Sequence, residues 1–334
     1  MSDETTSHSA GASGEDPLSE LLRRLGLNPP GDGVDLNALM GRIQAMMAQA
    51  QAGADSATGI DWAMARRTAR QVAASLGPDP VPSPTQRAQL ADSHRLAESW
   101  LGPAVSFEAC PAQAQAWSRA QWVEDTMDSW HAIVEPVVTA IAEAMSTGLG
   151  GEAAAELPEI AQLTGMLAPV MRMAAGQMYT AQLAQAIGEI SAEVVSGDEL
   201  GLQLLSSPRV VLLPTNAEAF VKGLGLPDED TLMYVVVREA ARQRLFSAVK
   251  WLGPQMLALI EHYAREITID TTALGDAIDI GDVSEMTPAR LAEVSEQLQG
   301  RLFKPTRTPE QESILARLET LLALVEGWVD AVAH

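Results

Sequence analysis

The sequence predicts a mostly α protein with minor short β, and three observations carry that expectation. Apolar residues recur at helical spacing through most of the chain. Only Arg209 to Leu213, ended by Pro214, and Ile267 to Ile269 read as strands, both short and edge-like. Strand and helix do not alternate, which excludes a parallel α/β sheet.

Residues 1–16 are rich in Ser, Thr, Gly and acids and bury too little apolar surface to offset ordering entropy, so they read as a disordered tail. Leu18, Leu21, Leu22 and Leu25 form a brief helix stopped by Gly26 and Pro29-Pro30-Gly31. Residues 1–33 are thus a loosely ordered N-terminal tail with a short helix, and 34–334 a single α-rich domain. Leu36, Met40, Ile43, Met46 and Met47 make one stripe, suited to adaptable core or to docking a partner. Asp61 is the N-cap of a helix that runs to Gly77-Pro78. Pro80, Pro82 and Pro84 form a rigid spacer before a helix from Gln86 to Leu101, closed by Gly102-Pro103. Trp117, Trp122 and Val123 lead a further helix, with a break or new first turn at Pro136. The alanine-rich stretch from Glu152 to Val195 is interrupted by Pro158 and Pro169, and Gly165, Gly176 and Gly188 let helices approach closely. Arg172, Gln177, Gln182, Gln185 and Glu189 break its apolar run, so it is not a membrane span.

Composition narrows the function. The chain has 334 residues, is 47% hydrophobic and 20% charged, and so has the makeup of a globular protein. Its formal net charge of −22 would repel nucleic acid and anionic lipid, so neither a nucleic-acid partner nor membrane insertion is expected. The single cysteine, Cys110, excludes an internal disulfide framework, and Met1 to Asp16 has no apolar signal-peptide core; both point to the cytoplasm. Cys110-Pro111 has no local histidine, no Gly-x-Ser-x-Gly elbow occurs, and Gly148, Gly150 and Gly151 follow a helix rather than a strand. Asp270, Asp276, Asp279 and Asp282 miss the spacing of a calcium loop.

The chemistry concentrates between Pro227 and Glu266. Asp228, Glu229 and Asp230 complement the positive end of a helix dipole, and Leu232 to Val249 reads as a buried, central helix. Within it Arg238-Glu239-Ala240-Ala241-Arg242 has the frame of HExxH, in which two histidines bind zinc from one helical face and the glutamate activates water. Guanidinium is always protonated and has no lone pair, so Arg238 and Arg242 cannot ligate zinc. They still share a stripe with Val235, Leu245 and Val249, where ligands would point. The plainer reading is a pair of solvated or salt-bridged arginines.

The surrounding strings are more specific: Val237 to Phe246, Trp251-Leu252, Ile260 to Ala264, Ile269-Asp270, Thr308 to Gln311 and Leu321 to Asp330. Together with Trp62-Ala63, Arg67, Arg70, Trp100-Leu101, Trp117 to Arg119 and Trp122-Val123, they resemble an actinobacterial zincin-like metallopeptidase family. Its members are labelled zinc-dependent metalloprotease or hydrolase, with relatives associated with deazaflavin coenzyme biosynthesis. The resemblance implies a zincin-like helical architecture from about Trp62 onward. It departs from the family at Arg242, where members more often keep histidine, and members continue well past the helix that ends here at His334.

The last helix has Thr308 as N-cap, Pro309 at N1 and Gln311 completing a capping box, with Ile314, Leu318, Leu321, Val325, Trp328 and Val332 as its apolar face. Glu319, Glu326 and Asp330 lie opposite, most simply as a solvated surface. The resemblance implies instead that Glu326 is the third ligand position of a glutamate-class zincin. Arg238 and Arg242 would then replace the metal and pair with Glu326 or Asp330 as a buried ion cluster. His262, beside Glu261, is an alternative ligand, though a flanking surface histidine is the plainer reading.

Beside a wholly structural or assembly role using the methionine-rich stripe, two functions follow. One is a pseudo-enzyme or binding scaffold on a zincin-like fold, with no cofactor and a peptide or protein partner. The other is an active zinc-dependent metalloprotease or hydrolase with Glu239 as general base, zinc as cofactor and Glu326 among non-standard ligands. Residues 238–250 carry Arg238, Arg242, Arg244 and Lys250 against Glu239, a basic island suited to a carboxylate partner, internal or external.

Overall fold

A computed structural model describes residues 58–149, 158–267 and 308–334. The N-terminal tail and its short helix, the methionine stripe, Ile269 and the aspartates from Asp270 to Asp282 lie outside the described residues. Among the described residues the architecture is mostly helical, as expected. The elements are α1 (Trp62–Ser75), α2 (Pro84–Ala104), β1 (Gln115–Ala116), α3 (Arg119–Leu149), α4 (Pro158–Glu193), β2 (Val211–Leu212), α5 (Pro214–Leu224), α6 (Asp228–Ala248), α7 (Leu252–Arg265) and α8 (Pro309–Ala333).

Local chemistry explains most boundaries. The Asp61 side chain accepts from the Met64 amide at 2.8 Å and caps α1. Ser83 with Gln86, and Thr308 with Gln311, each close a reciprocal capping box before a proline in the first turn of α2 and α8. Three expectations about prolines need correction: α2 is not closed by Gly102-Pro103 but runs through Pro103 to Ala104. The helix does not break at Pro136: α3 runs through it, losing the one amide bond that would reach the Ala132 carbonyl while its remaining ladder and packing persist. Likewise Pro158 opens α4, and that helix continues past Pro169.

Helix α1 packs against α3 and α4, and α6 is held among α2, α5 and α8. The close approach of α1 and α4 rests on Gly188, where an added Cβ would sit 2.6 Å from the Val72 Cβ and 2.8 Å from the Ala69 carbonyl oxygen. Gly188→Ala is therefore expected to lower stability by about 1–3 kcal/mol through overpacking, read as a fall in the urea midpoint with an unchanged slope. An unchanged midpoint would mean that the helices separate without cost.

The predicted edge strand at 209–213 is neither as long nor at an edge. Only Val211 and Leu212 are strand, both buried, and they pair in parallel with Gln115 and Ala116. The chain at Val195 to Gly197 bonds their other side, with Gly197 N donating to Val211 O at 3.1 Å and Leu213 N to Val195 O at 2.9 Å. A buried backbone must satisfy its polar groups, so this short strand is flanked on both sides. Val211 joins the core of α1, α3 and α4, while Leu212 joins that of α2 and α6, as alternation along a strand requires. The flanking segment consequently lays Ser196, Asp198 and Glu199 against α6.

Candidate functional site

Beyond its exposed first turn helix α6 is largely buried, and Glu239, Arg242, Gln243 and Arg244 are buried with it. Arg244 is fastened to α2: its Nε donates to Glu98 Oε2 at 2.9 Å and one terminal nitrogen to the Phe107 carbonyl at 3.0 Å. His94 adds its Nε2 at 3.3 Å from the other Glu98 oxygen. Burial alone would raise the Glu98 carboxyl, but His94 and Arg244 outweigh it and hold the group below the usual range. This clamp orients the neighbouring turn, where Arg238 and Arg242, and likewise Glu239 and Gln243, stand four residues apart on adjacent stripes.

Glu239 is fully buried and accepts four donors. Its Oε2 takes the Ser196 hydroxyl at 2.9 Å and Arg242 at 2.8 Å; its Oε1 takes the Gln243 amide at 2.9 Å and the Asp198 backbone N–H at 3.4 Å. Arg242 is 2% exposed, and its second terminal nitrogen reaches both oxygens of Glu326 on α8, at 2.9 and 3.2 Å. Burial alone would weaken the charge on Arg242, but Glu239 and Glu326 outweigh it and raise its pKa. Arg238 donates to Glu326 Oε2 at 2.7 Å and also pairs with Asp330. It further lies over the Tyr234 ring, 5.7 Å from the centroid.

Behind Glu239 sits Asp198, 1% exposed, accepting the amides of Leu204 and Leu205 at 2.7 and 2.9 Å and the Gln243 side chain at 2.9 Å. Burial, then the charge of Glu239, push its carboxyl up to about 7 from an ordinary 3.8. Because the folded form holds its proton more tightly than the unfolded chain, this group's contribution is fully present below about pH 4 and lost as pH rises through about 7. Burial raises Glu199 in the same direction. Unfolding free energy should thus decline between about pH 4 and 7, and Asp198→Asn should flatten that decline, measured by urea titration at successive pH values. An unaltered slope in the variant would assign the decline to other groups.

In front of the cluster opens a cleft of about 610 Å³. Arg238, Arg242 and Glu326 line it together with Ser196, Glu199 and the apolar Phe220, Leu224, Leu226 and Tyr234. Gly201, at φ 72°, turns the loop that follows Glu199 over α8: a Cβ there would lie 3.3 Å from Leu322 and 3.6 Å from Glu326 Oε1.

The structure brings Arg238, Glu239, Arg242, Glu326 and Asp330 into one network, and leaves other residues of interest outside it. Glu319 is exposed. His262 lies 3.9 Å from Glu310 at the start of α8, apart from the cleft. Cys110 is buried and donates to the Pro208 carbonyl at 2.9 Å. Of the basic island, the three arginines are paired internally, while Lys250 is exposed. Ser196, Asp198, Glu199 and Gln243 escape sequence reasoning. Gln243 alone left a trace, four residues after Glu239, whereas the loop residues follow no period.

This arrangement belongs to a recognisable class. The sequence profile of the zincin-like metallopeptidase family matches residues 60–334, and the chain belongs to that family. It is also similar to a crystal structure from Chloroflexus aurantiacus described as "a putative hydrolase with a novel fold", at 17% identity and a TM-score of 0.44, over 82% of this chain and 80% of that one. No curated protein matches the sequence.

Zinc, which the family name implies, does not fit the residues at the motif. Its two helical ligand positions are guanidinium groups without lone pairs, and both oxygens of Glu326 are engaged by them. Among the described residues no three His, Cys, Asp or Glu side chains converge as a metal site.

Proposed function

We propose that this family member is a binding scaffold in which an arginine–carboxylate cluster stands where a zincin holds its metal. The observation that carries this reading is the Arg242 guanidinium, bridging Glu239 at 2.8 Å and Glu326 at 2.9 Å. It links the carboxylate that would act as base to the one that would act as third ligand. Glu239 is saturated with donors and sealed from solvent, so no water reaches it to be activated. Its role is to hold Arg242, Ser196 and the Asp198 loop in register. The cleft in front remains open for a peptide or protein partner. The sequence resemblance further suggests an actinobacterial protein with relatives in deazaflavin coenzyme biosynthesis, and the single cysteine and polar N-terminus suggest the cytoplasm.

Elemental analysis of purified, untagged protein tests the reading. No stoichiometric zinc is expected, before or after dialysis against zinc, and no peptidase activity should appear on its addition. The Arg238→His/Arg242→His variant restores two imidazoles beside Glu326 and should gain zinc. Stoichiometric zinc in the natural chain that disappears in Glu326→Ala would overturn the proposal.

A further inference from the structure

We infer that the cleft binds a short peptide segment with large apolar side chains flanked by Lys or Arg, an inference that rests on the non-catalytic reading of the same site. Phe220, Leu224, Leu226 and Tyr234 are between 38% and 59% exposed, yet all line this one cleft. Phe220 and Leu224 lie four residues apart on α5 and make one ridge. Gly225, at φ 64°, ends that helix, and Leu226 just beyond it lines the same cleft. Clustered exposed apolar side chains around a concavity of about 610 Å³ mark a binding surface of ordinary size.

Charge selects the occupant. Arg238 and Arg242 also line the cleft, but Glu326, Asp330 and Glu239 already neutralise them. Glu199 spends one oxygen, Oε2, on the amides of Val195 and Ser196. Among the described residues neither Glu199 nor the exposed Asp230 carboxylate forms an ion pair; the cation whose charge Glu199 feels is Arg242, already held by Glu239 and Glu326. The groups left to meet a ligand are therefore acidic, and the net charge of −22 draws cations toward the whole chain. An acidic ligand would have to displace Glu326 or Asp330 from arginines that hold them.

Fluorescence anisotropy of the full chain with fluorescein-labelled Lys-Leu-Phe-Leu-Lys and Glu-Leu-Phe-Leu-Glu tests this. The cationic peptide should bind at least about tenfold more tightly. Glu199→Gln and Asp230→Asn together should remove most of that preference, and Leu224→Ser should weaken binding of the cationic peptide about tenfold or more. Asp230 and Leu224 are exposed, and the Glu199→Gln side chain retains a carbonyl oxygen to accept from the two amides, so unchanged circular dichroism melting would certify the fold. Equal affinities, tighter binding of the acidic peptide, no binding, or an unaffected Leu224→Ser variant would each overturn the inference. Mass spectrometry of the recovered cationic peptide separates the two proposals: where that peptide binds more tightly, cleavage overturns the non-catalytic reading and leaves the charge preference standing, and intact peptide supports both.

Discussion

Replacing Glu239 by alanine is expected to cost about 3–5 kcal/mol, the range for breaking a buried ion pair from one side. Glu239 is 0% exposed, so its removal strands the Ser196 hydroxyl, the Gln243 amide and the Asp198 N–H without acceptors and leaves Arg242 with Glu326 as its remaining counter-charge. Against a total stability of about 5–15 kcal/mol, that loss brings the chain close to unfolding. Chemical denaturation measures it. Exchanging Glu239 and Arg242 together for Leu and Met should recover part of the loss, because no uncompensated buried charge remains in the pair. If alanine at 239 costs less than about 1 kcal/mol, the network adds little to the fold and its placement needs another reason.

Removal of Glu326 is the second large effect, expected at about 2–3 kcal/mol and below that of Glu239 for a stated reason. The Glu326 side chain is 37% exposed, so solvent reaches the arginines once it is gone. Arg238 keeps Asp330 and the Tyr234 ring, and Arg242 keeps Glu239. The loss comes mainly from Arg242, whose second terminal nitrogen has both its acceptors on Glu326. Asp330, at 51% exposed, supplies the comparison: Asp330→Ala should cost less than about 1 kcal/mol. Thermal and urea unfolding of the two variants side by side give the order, and a near-neutral Glu326→Ala would make that residue part of the solvated surface.

Much of the fold was legible in the residues because its causes are local. The Asp61 cap and the capping box at Thr308 act within four residues, and the apolar spacing of α6 and α8 repeats within two turns. The errors arose where tertiary packing overrode a local signal. Pro136 gives up one backbone bond inside a helix held by its neighbours, and Val211-Leu212 gains a second flank from residues at 195–197 that no strand pattern announced.

The site divides in the same way. That Arg238, Glu239 and Arg242 share one helix, and that no imidazole stands at either motif position, follow from the sequence and helical geometry alone. The chain's charge pattern likewise placed cations on α6 and carboxylates on α8. Which carboxylate meets which guanidinium was decided by packing across separations of 84 and 88 residues, and the Asp198 loop meets Gln243 and Glu239 across 45 and 41. Periodicity fixes direction within an element but not its neighbour. Only burial in the assembled fold separates Glu319, which stays in water, from Glu326, which holds two arginines beneath a cleft.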